Sequence, residues 1–170
     1  YLTIQEAIDD ATPGRLICVQ PGTFYENVSM SDTPIHLVGI GGPELTVIDG
    51  DSLGTVLRFE ADASDDSTIE GFTLTHGLAD NGGGLLVVGV SPTIRSLRIE
   101  DNTATQMGGG VYLAAASPVM EDVEVVGNTA LTGEFYSAAY GGIGITLNAA
   151  PVVSGLTVTG NTGGRAAVGV

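Results

Sequence analysis

The stretch from Pro92 to Leu113, PTIRSLRIEDNTATQMGGGVYL, decides the fold because it recurs. An alternating apolar run (Ile94, Leu97, Ile99) ends at Asn102, and a short polar loop leads to Gly108-Gly109-Gly110. A second apolar run (Val111, Leu113) follows, and Ser117-Pro118 restarts the cycle. Ile69, Phe72, Leu74 and Gly77 precede Gly82-Gly83-Gly84 in the same way. Met120, Val123, Val125 and Asn128 precede Gly141-Gly142, and Val153, Leu156, Val158 and Asn161 precede Val168. The offsets from Phe72 to Leu97, Val123 and Leu156 are 25, 26 and 33 residues in turn. Self-similarity at this period is the mark of stacked repeats, each too small to bury its own apolar face.

Composition narrows the function classes. The 170 residues amount to a single domain, 1–170, with enough chain for a substantial core. No apolar run is long enough to cross a bilayer, so no direct membrane insertion is expected. Twenty acidic residues stand against five arginines and no lysine, a net charge of −15. Such a surface repels nucleic acid and anionic lipid. Cys18 is the sole cysteine, so no disulfide forms within the chain, and its setting in Leu16-Ile17-Cys18-Val19 predicts a small buried hydrophobe. A start at Tyr1 and an end inside a repeat lead us to expect a processed or partial chain, with material missing at both ends and the C-terminal end truncated.

Thr3-Ile4-Gln5-Glu6 is a capping box, and Ile4, Ala7, Ile8 and Ala11 follow on one helical face. This predicts a short N-terminal helix over about 3–11, plugging one end of the stack; packing against a side is the alternative. Beyond it come strands of three to five residues broken by Gly, Pro, Asn and Asp turns, with the Gly/Asn repeats over about 67–170. Short strands also suit a sandwich or barrel, but the fixed period favours parallel stacking. The expected fold class is therefore all-β, a parallel solenoid with a capping helix.

The opening, from the capping box through Pro21-Gly22-Thr23-Phe24-Tyr25-Glu26-Asn27 to Val47-Ile48-Asp49-Gly50, resembles the start of right-handed parallel β-helix proteins of the pectin-lyase-like superfamily. Asn102-Thr103-Ala104 followed by Gly108-Gly109-Gly110-Val111 is similar to repeats of polymorphic outer-membrane-type bacterial surface proteins. The resemblance implies a right-handed β-helix and an extracellular or cell-surface location. It implies no single activity, because the superfamily includes lyases, hydrolases, tailspikes and adhesins.

Stacking turns each repeat position into a row. The inward rows are Ile69–Ile94–Met120–Val153, Phe72–Leu97–Val123–Leu156 and Leu74–Ile99–Val125–Val158, all apolar. Asn102, Asn128 and Asn161 form a structural ladder at one corner, where asparagine tolerates a left-handed bend and its amide reaches the next copy. The outward rows Glu70–Arg95–Glu121–Ser154 and Thr73–Arg98–Glu124–Thr157 alternate in charge, which suits solubility and register.

Groups that could do chemistry are few. Asp65-Asp66 is an adjacent acid pair that resembles a polygalacturonase-like motif, but it precedes a strand instead of lining a groove where two carboxylates could flank a glycosidic bond, and a solvated turn is the simpler reading. Asp62, Asp65 and Asp66 are candidate oxygen ligands for Ca2+, although their spacing fits no defined calcium loop. His36 and His76 read as structural, and no Ser-His-Asp set, zinc spacing or phosphate loop is present. The third repeat carries about seven extra residues, and Phe135, Tyr136 and Tyr140 in it are the candidate ligand-binding residues. Folding back of that loop over its own rings is the competing reading. The expectation is a non-catalytic β-helix stalk, adhesin or assembly unit, needing no cofactor. It would meet a glycan or protein surface, and neighbouring copies or further repeats. A polysaccharide lyase or hydrolase with its active site largely outside the segment is the alternative.

Overall fold

The computed structural model describes residues 1–131, 139–164, 168 and 169. The chain opens with α1 (Ile4–Asp9), then passes β1 (Arg15–Val19), β2 (Gly22–Tyr25) and β3 (Val28–Ser29). Next come β4 (Ile35–Gly39), β5 (Thr46–Asp49) and β6 (Leu57–Phe59), followed by β7 (Thr68–Glu70), β8 (Thr73–Thr75), β9 (Leu78–Asn81) and β10 (Leu85–Val88). After β11 (Thr93–Glu100), β12 (Thr103–Met107) and β13 (Val111–Ala114) come β14 (Val119–Val126), β15 (Thr129–Ala130) and β16 (Ile143–Thr146). The last are β17 (Val152–Ser154), β18 (Thr157–Thr159) and β19 (Val168–Gly169). The protein is all-β with parallel sheets. Among the described residues no helix is long and apolar enough to cross a membrane.

Every strand pair is parallel, and the strands sort into three open sheets. The first runs β1-β4-β7-β11-β8-β5-β2, with β14 joining β11 to β17 and β18. The second runs β19-β16-β13-β10-β6-β3, and the third β15-β12-β9. From β7 to β16 the chain visits first, third and second sheet in that order on each pass; the last pass meets the third sheet only through a bridge from Thr162 to Thr129, and each pass pairs with the one before it. Ile94 faces Ile69 and Met120, Met120 faces Val153, and Ile99 faces Leu74 and Val125. The register is the one the repeat predicts.

The core follows from that register. Leu37, Ile48, Phe59, Ile69, Phe72, Leu74, Leu85, Ile94, Leu97 and Ile99 are all fully buried. Each contributes roughly 1.5–3 kcal/mol of transfer free energy. The last pass departs from the expected sealed row: Val153 is 45% exposed, because no described pass lies beyond it.

Two expectations need correction. Cys18 is exposed, not buried. Strand alternation turns Ile17 and Val19 toward the interior, and Cys18, opposite Val38, faces out. The left-handed bend at the corner belongs to the residue before each asparagine. His76, Asp101, Gly127 and Gly160 have φ of 53, 54, 67 and 65°. A second such column, Gly71, Ser96, Asp122 and Gly155, bends the first sheet midway along its strands.

The freed asparagines point inward and join the passes. Asn102 Oδ1 accepts from the Gly77 amide, Asn128 Oδ1 from the Asn102 amide, and Asn161 Oδ1 from the Asn128 amide, at 2.8–3.0 Å. Their Nδ2 groups donate to the carbonyls of Leu74, Ile99 and Val125. The Gly-Gly corner beside them has no room for side chains. A Cβ on Gly83 would lie 2.5 Å from the Thr103 oxygen, and one on Gly84 would lie 2.7 Å from Asn102 Nδ2.

At the N-terminus α1 buries Ile4, Ala7 and Ile8. The capping box is present, with the Glu6 amide 3.1 Å from Thr3 Oγ1. The helix ends at Asp9, short of Ala11. Its free amides at Ile4 and Gln5 donate to the Glu26 carboxylate at 2.9 and 3.0 Å. The Gln5 side chain donates from Nε2 to the Ser29 carbonyl and accepts at Oε1 from the Ser29 amide, completing the edge of β3 as another strand would.

Candidate functional site

The outer face of the first sheet carries two rows across adjacent strands. One runs Val47–Thr73–Arg98–Glu124–Thr157, the other Asp49–Thr75–Glu100–Val126–Thr159. The Gly41–Leu45 loop stands beside them, held by a 2.7 Å hydrogen bond from Thr73 Oγ1 to the Pro43 carbonyl. Thr73, expected to face solvent, is buried as a result. Loop and sheet enclose an open groove of about 680 Å³, lined by Pro43, Glu44 and Val47 on one side and by Arg98, Glu100, Asp101, Asp122 and Glu124 on the other.

His76 lines this groove as well. Its Nδ1 lies 2.9 Å from Asp49 Oδ2, while Asp49 Oδ1 accepts from the Asp51 amide at 2.9 Å. Burial opposes ionisation of Asp49, but the bonds from His76 and Asp51 and the imidazole charge outweigh it, and its pKa is lowered. The hydrogen bond to Asp49 raises the His76 pKa against partial burial, helped by the charges of Asp49, Asp101 and Glu100. An aspartate that fixes a histidine through Nδ1 leaves Nε2 to act as base or donor. Arg98 is held on both sides, by Glu100 at 2.6 Å and Glu124 at 2.7 Å. The Glu100 hydrogen bond is the main cause of its raised pKa.

The other predicted residues fall elsewhere. Asp62, Asp65 and Asp66 are exposed. Asp65 Oδ1 accepts from the Ser91 amide, and Ser91 Oγ from the Ser117 amide, so Asp65 begins a structural column. Among the described residues no three His, Cys, Asp or Glu side chains converge as metal ligands. Arg95 pairs with Glu121 at 2.6 Å, as the charge row implies. Glu70 instead lies 3.4 Å from His36. Phe135 and Tyr136 lie outside the described residues, as does Arg165. Tyr140 is buried, at 9% exposure.

The Asp49–His76 pair escapes a sequence reading that begins its register at Ile69. The signal was the row Asp49–Thr75, which appears only once β5 is placed beside β8. No protein-family model, no curated protein and no solved structure matches the chain.

Proposed function

We propose that this chain is part of a right-handed parallel β-helix of the pectin-lyase-like kind, in an extracellular or cell-surface protein. It acts as a non-catalytic stalk, adhesin or assembly unit that presents loops to a glycan or protein partner. The regular order in which the passes visit the three sheets supports the solenoid. The observation that carries the functional reading is where the repeated polar groups go. Asn102, Asn128 and Asn161 bond between passes, Asp65, Ser91 and Ser117 do the same, and Arg95 and Arg98 face glutamates. A rod so cross-linked is stiff, and stiffness is what a presenting element requires. The acidity suits a surface exposed to salt.

The Asp49–His76 pair in a groove favours one second reading, a polysaccharide hydrolase or lyase. The test is incubation of the chain with polygalacturonate and neutral polysaccharides, with and without CaCl2. New reducing ends and ultraviolet-absorbing unsaturated products are followed. No turnover above a heat-denatured control is expected. Product formation that disappears in His76→Gln would replace the stalk with the enzyme.

A further inference from the structure

We infer that the groove between the Gly41–Leu45 loop and the outer face of the first sheet docks a basic, extended peptide segment of a partner protein. Charge is the first argument. Glu44, Asp101 and Asp122 on its rim have no cationic partner among the described residues, while Glu100 and Glu124 already hold Arg98. Five lining carboxylates against Arg98 leave a net charge of −4, to which the Asp49–His76 pair adds −1 with His76 neutral and nothing with it charged. Anionic glycans and nucleic acids are repelled by such a rim, and a neutral sugar can hydrogen-bond its carboxylates but leaves their charge in place, whereas a cationic segment neutralises it.

Geometry selects among cations. No three acidic or imidazole side chains converge among the described residues, so the rim does not form a cage for a point charge. Glu44 stands on the loop before β5, and Glu100, Asp101, Asp122 and Glu124 stand on or beside β11 and β14, with Val47 of β5 and Thr75 of β8 in the floor between them. Four parallel strands at about 4.8 Å cover about 14 Å, the length of four or five extended residues. Alternate side chains of such a segment are roughly 6.7 Å apart on one face, so two arginines or lysines can meet separate parts of the rim. Pro43 and Val47 offer an apolar wall for their methylene stems.

This inference does not rest on the stalk reading, and failure of either leaves the other standing. The test is fluorescence anisotropy of a labelled peptide of four Arg-Ser repeats, titrated with the chain at physiological salt. A peptide with glutamine for each arginine is the control. Glu44→Gln with Asp101→Asn removes two rim charges, and asparagine suits the positive φ at 101. Asp122→Asn alone is a second, milder variant. Asp62→Asn with Asp66→Asn removes two charges from an exposed turn outside the groove. A loss of tenfold or more is expected in the rim double variant and threefold or more in Asp122→Asn. Less than twofold is expected in the turn variant, with no binding of the glutamine peptide. Equal losses in rim and turn variants would assign the binding to the general field of the chain and overturn the proposal. So would spermine binding as tightly as the peptide, which would make the occupant a diffusible polyamine.

Discussion

At Asn128 both side-chain functions are engaged across three passes. Oδ1 accepts from the amide and side chain of Asn102, and Nδ2 faces the carbonyls of Ile99 and Val126 and the Oδ1 of Asn161. Asn128→Ala leaves the buried Asn102 amide and Ile99 carbonyl without these partners. Each orphaned group costs about 1–3 kcal/mol, so a loss of roughly 2–4 kcal/mol is expected in urea unfolding. A loss below about half a kcal/mol would mean that water replaces the side chain. The Asp49–His76 pair behaves differently, because it titrates. His76 has its pKa raised above 6.5, so its contribution is full below that value and fades as pH rises through the folded pKa. Asp49 has its pKa lowered below 3.8, so its contribution is full above that value and fades as pH falls through the folded pKa. The stability gap between the native chain and His76→Gln should therefore be widest from about pH 4 to 6.5 and narrow on both sides. A gap flat in pH would show that the pair is not ionised.

The column of corner glycines and the helix α1 show which elements tolerate change. A Cβ on Gly109 would lie 2.5 Å from the carbonyl oxygen of Gly141 and closer still to that of Thr129, so a methyl group there must push two passes apart. Gly109→Ala is expected to cost about 2–3 kcal/mol, the range for overpacking a tight site. Gly54→Ala should stay within about 0.5 kcal/mol, because the nearest atom outside its sequence neighbours, Asn27 Nδ2, is 3.8 Å from the new methyl. Thermal unfolding of both variants separates them; equal shifts would remove the corner argument. These glycines were legible because they recur at the period of the apolar rows. The clamp on α1 was not. Glu26 sits 22 residues from the amide it caps, and Gln5 sits 24 from the strand edge it completes, with no periodicity to link them. Pattern reports positions that repeat, and a unique contact at the N-terminal helix does not repeat. The groove was hidden for a related reason. Its loop, Gly41–Leu45, has no counterpart in the later passes, and its His76 lies in a column otherwise filled by Asp101, Gly127 and Gly160.

For the molecule as a whole, fifteen excess negative charges compete with a handful of exposed ion pairs. Arg95–Glu121, Arg98–Glu100 and Arg98–Glu124 are each half-exposed, and such pairs contribute roughly 0–1 kcal/mol. Salt weakens these pairs, but it also screens repulsion among carboxylates distributed over the whole surface, and the Debye length falls to about 8 Å at 0.15 M. Repulsion acts between many more partners than attraction does, so screening should stabilise the fold. The melting temperature at pH 7 is therefore expected to rise by several degrees between 10 and about 300 mM NaCl. A fall over that range would show that the ion-pair rows outweigh the net charge. Calcium separates screening from specific binding. Because no three ligands converge among the described residues, CaCl2 at matched ionic strength should add little beyond NaCl. A saturable further rise at millimolar CaCl2, lost in Asp62→Asn with Asp66→Asn, would restore the cation site that the positions of Asp62, Asp65 and Asp66 argue against.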